Sequence, residues 1–187
     1  MTFLSQYFDG FNSALSEFIE FENNRVNLDS AVEMLKQTKA DDKTIYLIGN
    51  GGSSAIAEHM AIDLTKNAKL RATTFSGTPF LTTLANDCGY DKAYQKCVET
   101  FVDKGDVVIA ISSSGQSENI LNACKSAKSK GAKVITFAGF KSSNPLNDLG
   151  DLNFWVNSES YGYVEILHNL IIHYINDAII GSAYYSS

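Results

Sequence analysis

Proline is nearly missing from this chain. Pro79 and Pro145 are the only two in 187 residues, and both read as loop markers. No proline-rich linker, low-complexity tract or internal repeat divides the sequence, which points to one domain. Cysteine is scarce as well. Cys88, Cys97 and Cys124 are odd in number, widely spaced and without a CxxC pair, a pattern that leaves buried, reduced thiols in a cytoplasmic protein. No apolar run is long enough to cross a bilayer. Met1-Thr2-Phe3-Leu4-Ser5 lacks the basic start and apolar middle of a signal peptide, so no membrane role is expected. Positive charge is short too: 15 Lys and Arg face 21 Asp and Glu, for a net charge of −6, and no basic cluster offers a nucleic-acid face. An acidic chain that binds an anion must hold it locally, with dipoles and hydroxyls.

What the chain does have is apolar content, 44%, enough to build a core. Phe8, Phe11, Leu15, Phe18 and Ile19 recur at helical spacing between about Ser5 and Phe21. A second helix is expected from Leu28 to about Lys39, capped by Asp29 or Ser30. From there, short apolar strands alternate with helical segments. The strands are 44–48, 72–75, 107–111, 133–137 and, more weakly, 152–156. The helices run from Ser53 or Ser54 to about Asn67, then over 80–85, 90–101, 118–130 and about 163–180, with Gly131 and Gly181 as stops. This alternation predicts an α/β fold: a three-layer α-β-α sandwich on a mainly parallel five-stranded sheet, with residues 1–40 as a helical N-terminal extension. In such sheets ligands sit beyond the carboxyl ends of the strands.

Two turns fall at those ends. Ser112-Ser113-Ser114-Gly115-Gln116-Ser117 places four hydroxyls where a buried strand hands over to a helix. The first N–H groups of a helix lack internal partners and carry the positive end of its dipole, so an anion such as phosphate settles there. Read alone, the stretch is an ordinary polar loop with an N-cap. Gly49-Asn50-Gly51-Gly52-Ser53-Ser54 is a second turn of similar chemistry; it lacks both the dinucleotide glycine spacing and the lysine of a P-loop. Two such turns in one small domain point to a phosphorylated small molecule. Asn86-Asp87, before Cys88-Gly89, reads either as an Asx-type turn or as a pair of partners for sugar hydroxyls.

All three histidines lie on two of the expected helices. His59 and Asp63 are four apart and share a face, a spacing that serves both Zn²⁺ pairs and plain surface hydrogen bonds. Glu165 and His168, three apart, read by default as a solvated pair. His173, amid Leu170, Ile171, Ile172 and Ile175, reads by default as a core histidine. Glu165 and His173 are separated by roughly 12 Å along one helix, far for two ligands of one ion.

Taken together, the Gly49–Ser53 turn with His59, the Ala85-Asn86-Asp87 segment, the Ile111–Ser117 motif and the last helix with Glu165, His168 and His173 resemble the sugar isomerase (SIS) domain family, and within it the bacterial phosphoheptose isomerases. The resemblance covers nearly the whole chain. It implies an aldose–ketose isomerase that converts sedoheptulose 7-phosphate to D-glycero-D-manno-heptose 7-phosphate for surface-glycan heptose. Ser112, Ser113, Ser114 and Ser117 would hold the phosphate, and Asn50, Gly51, Gly52, Ser53, Asp63, Asn86, Asp87 and Glu165 would line the sugar. One Zn²⁺ per site would sit on His59, Asp63, Glu165 and His173, in a homotetramer whose sites lie between subunits. Sites of that kind would relieve the distance from Glu165 to His173, and the phenylalanine-rich first helix suits a subunit interface. In two places the chain departs from the family: Asp63 stands where Glu is usual, and Glu165 where Gln is usual. The extra negative charge implies retained metal binding with a less Lewis-acidic ion.

The expected chemistry is proton transfer between adjacent carbons through a cis-enediolate, with Asp63 and His173 as the acid/base pair. Two rivals share the same turns. One is an isomerase of another ketose phosphate, such as an arabinose or hexulose phosphate. The other is a non-catalytic sugar-phosphate sensor, or an adaptor resembling the relative that helps load the bacterial replication initiator.

Overall fold

A computed structural model describes residues 2–185. Seven helices and five strands follow in the order α1 (Phe3–Glu20), α2 (Glu22–Ala40), β1 (Ile45–Gly49), α3 (Gly52–Lys66), β2 (Ala72–Thr74), α4 (Thr78–Cys88), α5 (Tyr90–Phe101), β3 (Val107–Ser112), α6 (Glu118–Ser129), β4 (Lys133–Ala138), β5 (Leu152–Trp155) and α7 (Tyr161–Ile180). A 3₁₀ turn, Pro145–Asp148, precedes β5.

The five strands form one sheet in the order β2-β1-β3-β4-β5, and every neighbouring pair is parallel. Both faces are apolar because successive side chains of a strand point to opposite sides. Ile45, Leu47, Val107, Ile109, Ile111, Ile135, Phe137 and Phe154 pack under α2, α3 and α7. Ile48, Val108, Ala110, Val134 and Ala138 pack under α5 and α6 on the other face. The result is the three-layer sandwich.

This strand order places the ligand end. From β1 the chain crosses outward to β2, and from β3 it crosses the other way to β4 and β5, so the connections diverge between β1 and β3. Divergence opens a crevice at the carboxyl ends of those two strands. Gly49 pairs with Ile111 there, so both Gly/Ser turns leave the sheet side by side.

Three local expectations are corrected. The second helix starts at Glu22, not Leu28, which puts Asp29 and Ser30 in its interior. Only Phe21 separates it from α1. The buried Asn24 amide donates to the Phe18 carbonyl and holds the joint at 3.0 Å, while the Ser30 hydroxyl turns back onto Val26. Neither Ser53 nor Ser54 caps α3; Gly51, at φ 53°, precedes the helix, and Ser53 is buried within its first turn. Asn86 and Asp87 form no Asx turn but lie in the last turn of α4, which Gly89 ends.

Candidate active site

The serine turn builds a small cavity. Asn50, Ser53, Ile111, Ser112, Ser113, Ser114, Ser117, Tyr161 and Glu165 enclose about 170 Å³, below the roughly 300–1,000 Å³ of a complete ligand pocket. Its size suits one end of a ligand rather than a whole one. Ser117 is the N-cap of α6, yet its hydroxyl caps nothing and instead lies 3.3 Å from that of Ser112. The Ser113 hydroxyl is buried and has no partner among the described residues. An orphan buried hydroxyl costs stability unless a ligand meets it. With the free N–H groups of α6, these hydroxyls make an uncharged cradle for an oxyanion.

Gly115 makes the turn possible. Its φ of 64° is left-handed, and a Cβ there would run into the side chain of Asn144. Asn144 is itself buried and braces the loop through the carbonyls of Gly139 and Lys141.

A second group of side chains forms where α3 and α7 pack together. His59 Nε2 lies 3.3 Å, and His173 Nδ1 3.6 Å, from the same oxygen, Oδ2 of Asp63. The two imidazoles stand edge to face with centroids 5.1 Å apart. One ligand atom from each of the three residues falls within 4.8 Å of the others. Two imidazoles and a carboxylate so close are a donor set that suits Zn²⁺ and leaves a position open.

Glu165 does not join that group within one chain. Its carboxylate lies against Gly52, where a Cβ would come within 2.6 Å of it. The side chain forms part of the wall of the serine cavity and also of an adjoining cleft of about 340 Å³ with Gly52, Ala55, Ile56, His59, Ile166 and Asn169. Gly52 opens α3 while Asp63 lies near its far end, roughly 16 Å along the axis. Cradle and His/Asp cluster thus occupy the two ends of one helix pair.

The histidines of α7 exchange their default places. His168 is the core residue: it is fully buried, its ring lies against Phe137, and its Nε2 is 3.1 Å from the Ala138 carbonyl. That oxygen only accepts, so Nε2 carries the proton. Burial holds the imidazole neutral, with its pKa lowered to about 4. His173 instead turns toward α3 and stays partly exposed. Five helical residues rotate a side chain by roughly 140°, which is why one faces the sheet and the other the cleft.

Asn86 and Asp87 are exposed and bond to each other, Nδ2 to Oδ1, at 3.0 Å; neither lines the serine cavity. Cys97 and Cys124 are buried, and burial pushes their thiols up to about 11 and about 12. Cys88 is half-buried, and all three are free. No described helix is long and apolar enough to cross a membrane. Sequence reasoning missed Tyr90, Tyr94 and Asn119, which grip the Gly49-Asn50 turn from outside it. Nothing in their spacing marks them, because they reach the turn only through the packing of α5 and α6.

The parallel sheet thus carries a hydroxyl cradle at its switch point and a His/Asp/His cluster at the far end of α3. The SIS domain profile matches residues 6–139. Phosphoheptose isomerase from Campylobacter concisus is 35% identical over 168 residues, 87% of this chain and 88% of that one. The chain belongs to the SIS domain family, in its phosphoheptose isomerase branch. Among solved structures, phosphoheptose isomerase from Neisseria gonorrhoeae superposes with a TM-score of 0.87 at 29% identity, covering 94% of this chain and 96% of that one. Phosphoheptose isomerase from Francisella tularensis gives 0.86 at 26% identity, covering 96% and 98%. Phosphoheptose isomerases are aldose–ketose isomerases, and the fold here is theirs throughout.

Proposed function

We propose that this SIS domain protein converts sedoheptulose 7-phosphate to D-glycero-D-manno-heptose 7-phosphate, in the cytoplasm, to supply heptose for surface glycans. The observation that carries this reading is the meeting of His173 with Asp63, an imidazole and a carboxylate 3.6 Å apart, in a chain of this family. Ser112, Ser113, Ser114 and Ser117 hold the phosphate and fix the open-chain sugar, so the reacting carbons arrive already oriented. Asn50, Gly51, Gly52, Ser53 and Glu165 line the sugar, with Asn86 and Asp87 reaching it from α4. Asp63 or His173 takes the proton next to the carbonyl, a cis-enediolate forms, and the other member returns a proton to the neighbouring carbon. His59, Asp63 and His173, joined by Glu165 across a subunit boundary, would hold a Zn²⁺ ion whose chemistry is Lewis-acid polarisation of the sugar oxygens.

The separation of cradle and cluster along α3 supports a site completed between subunits of a homotetramer, the Asp63 and His173 of one facing the serine turn of another. Exposed apolar side chains support the same assembly. Phe3, Leu4, Phe8, Ile19 and Phe21 on or beside α1 are all at least 46% exposed, and Ile19 shares a cleft with the exposed Leu170 and Tyr174 of α7.

Incubation of the purified protein with sedoheptulose, arabinose and hexulose phosphates, with and without chelator, tests the reading. Aldose formation is expected with the heptulose. Turnover of another ketose phosphate alone would reassign the substrate, and none at all would leave a binding module. Mixing Ser113→Ala with His173→Ala protein tests the shared site, since only a site built from two chains regains turnover in hybrid oligomers.

A further inference from the structure

We infer that Asn119 and Tyr90 are positioning residues that fix the Asn50 side chain as a hydrogen-bond donor toward the bound sugar phosphate. The N–H of Ile120 can only donate, and it lies 3.0 Å from Asn119 Oδ1, which fixes the Asn119 amide with its oxygen on that side. Asn119 is buried, so its Nδ2 must find an acceptor. It donates to Asn50 Oδ1 at 2.8 Å, and Asn50 Nδ2 donates back to Asn119 Oδ1 at 2.9 Å. The two amides thus form a closed, reciprocal pair.

Tyr90 completes the assignment. Its hydroxyl donates to Asn50 Oδ1 at 2.7 Å from the opposite helix, α5. A carboxamide oxygen has two lone pairs and its nitrogen two protons. Both lone pairs of Asn50 are taken, and one proton is held by Asn119. One N–H remains, on a residue that lines the serine cavity. Asn50 therefore recognises an acceptor oxygen and rejects a donor at that position. One turn along α5, Tyr94 donates to the Gly49 carbonyl at 2.7 Å, so the backbone that carries Asn50 is held as well.

This assignment takes the identity of the substrate from the isomerase reading, but its geometry stands apart from turnover. The test therefore uses a binding probe that cannot isomerise, glucitol 6-phosphate, titrated calorimetrically, beside kinetics with sedoheptulose 7-phosphate. Tyr90→Phe removes one hydroxyl from a half-exposed ring and is expected to weaken probe binding about fivefold. Asn119→Asp puts an acceptor-only group opposite Asn50, so one oxygen–oxygen contact remains whichever way the amide turns. The pair opens, and binding is expected to fall about 30- to 100-fold. In both variants KM rises by the same factor as the dissociation constant while kcat holds, the mark of binding lost equally from ground and transition states.

A purely structural role would instead lower the melting temperature and the active fraction with KM unchanged, and that result overturns the proposal. Wild-type affinity in folded Tyr90→Phe overturns it too, and this variant decides the matter if Asn119→Asp fails to fold. Failure of the wild-type protein to bind glucitol 6-phosphate overturns it together with the cradle. Probe binding that responds to both variants in a protein that turns over no heptulose sinks the isomerase reading alone.

Discussion

Asp63 and His173 meet at 3.6 Å although they come from helices far apart in the sequence, and the oxygen that faces His173 also faces His59. Three groups that exchange protons or hold a cation thus converge on one point. Asp63→Ala and His173→Ala are each expected to cut turnover about 10²- to 10⁴-fold. Binding of glucitol 6-phosphate should change little, because the serine turn grips its phosphate while these two residues act on the reacting carbons. Calorimetry beside the coupled assay checks this. Near-normal turnover in either variant removes that residue from proton transfer.

Glu165 places a carboxylate on the wall of the serine cavity, where we propose the phosphate binds. Like charges a few ångströms apart in a partly buried site cost on the order of 1–2 kcal/mol. Glu165→Gln should therefore tighten binding of inorganic phosphate about tenfold, a gain that fades as salt is raised. Unchanged affinity would mean that the carboxylate turns away from the cradle when phosphate arrives.

Gly115 and Gly51 both have positive φ, but only Gly115 is crowded. A Cβ at Gly51 meets nothing within 4 Å, so Gly51→Ala should cost backbone strain alone, roughly 1–3 kcal/mol for a φ of 53° with ψ at −121°. Gly115→Ala adds a collision with Asn144 to its own positive-φ strain, so its cost should exceed that of Gly51→Ala by about 1–3 kcal/mol. Urea midpoints of the two variants, measured together, give the difference. Phosphate affinity should fall in Gly115→Ala, since the serine hydroxyls move with the turn.

His168 makes stability depend on acid. Burial lowers its pKa to about 4 from the ordinary imidazole value of 6.5, so the unfolded chain takes up a proton that the native protein refuses. The stabilisation is complete above pH 6.5 and is lost as pH falls toward 4, by roughly 3 kcal/mol in all. Urea unfolding at pH 7.5, 6 and 5 should show this slope in the wild-type protein. His168→Leu should flatten it, and an unchanged slope would place the acid sensitivity elsewhere.

The Gly/Ser turns were legible in the chain because strand, glycine and hydroxyl are local signals, each set by neighbours a few residues away. Strand positions were legible for the same reason: Ile45 to Ile48 and Val107 to Ile111 are too short and too apolar on both faces to be anything but buried parallel strands. The second helix was read too short because Glu22 to Asn27 carry no apolar period. A tertiary contact, the amide of Asn24 on Phe18, lets α2 begin there.

The amino-acid order by itself determined that five buried strands, separated by helices, must make a parallel sheet with polar turns at its carboxyl end. Periodicity and backbone sterics act over a handful of residues and leave no other arrangement. Which side chains become neighbours across that end was decided only by tertiary packing. The rotation of α7 sends His168 into the core and His173 to Asp63. The seating of α5 and α6 against β1 locks Asn50 between Tyr90 and Asn119. Those outcomes depend on how whole helices lie on the sheet, a property of the summed core contacts that no short stretch of sequence contains.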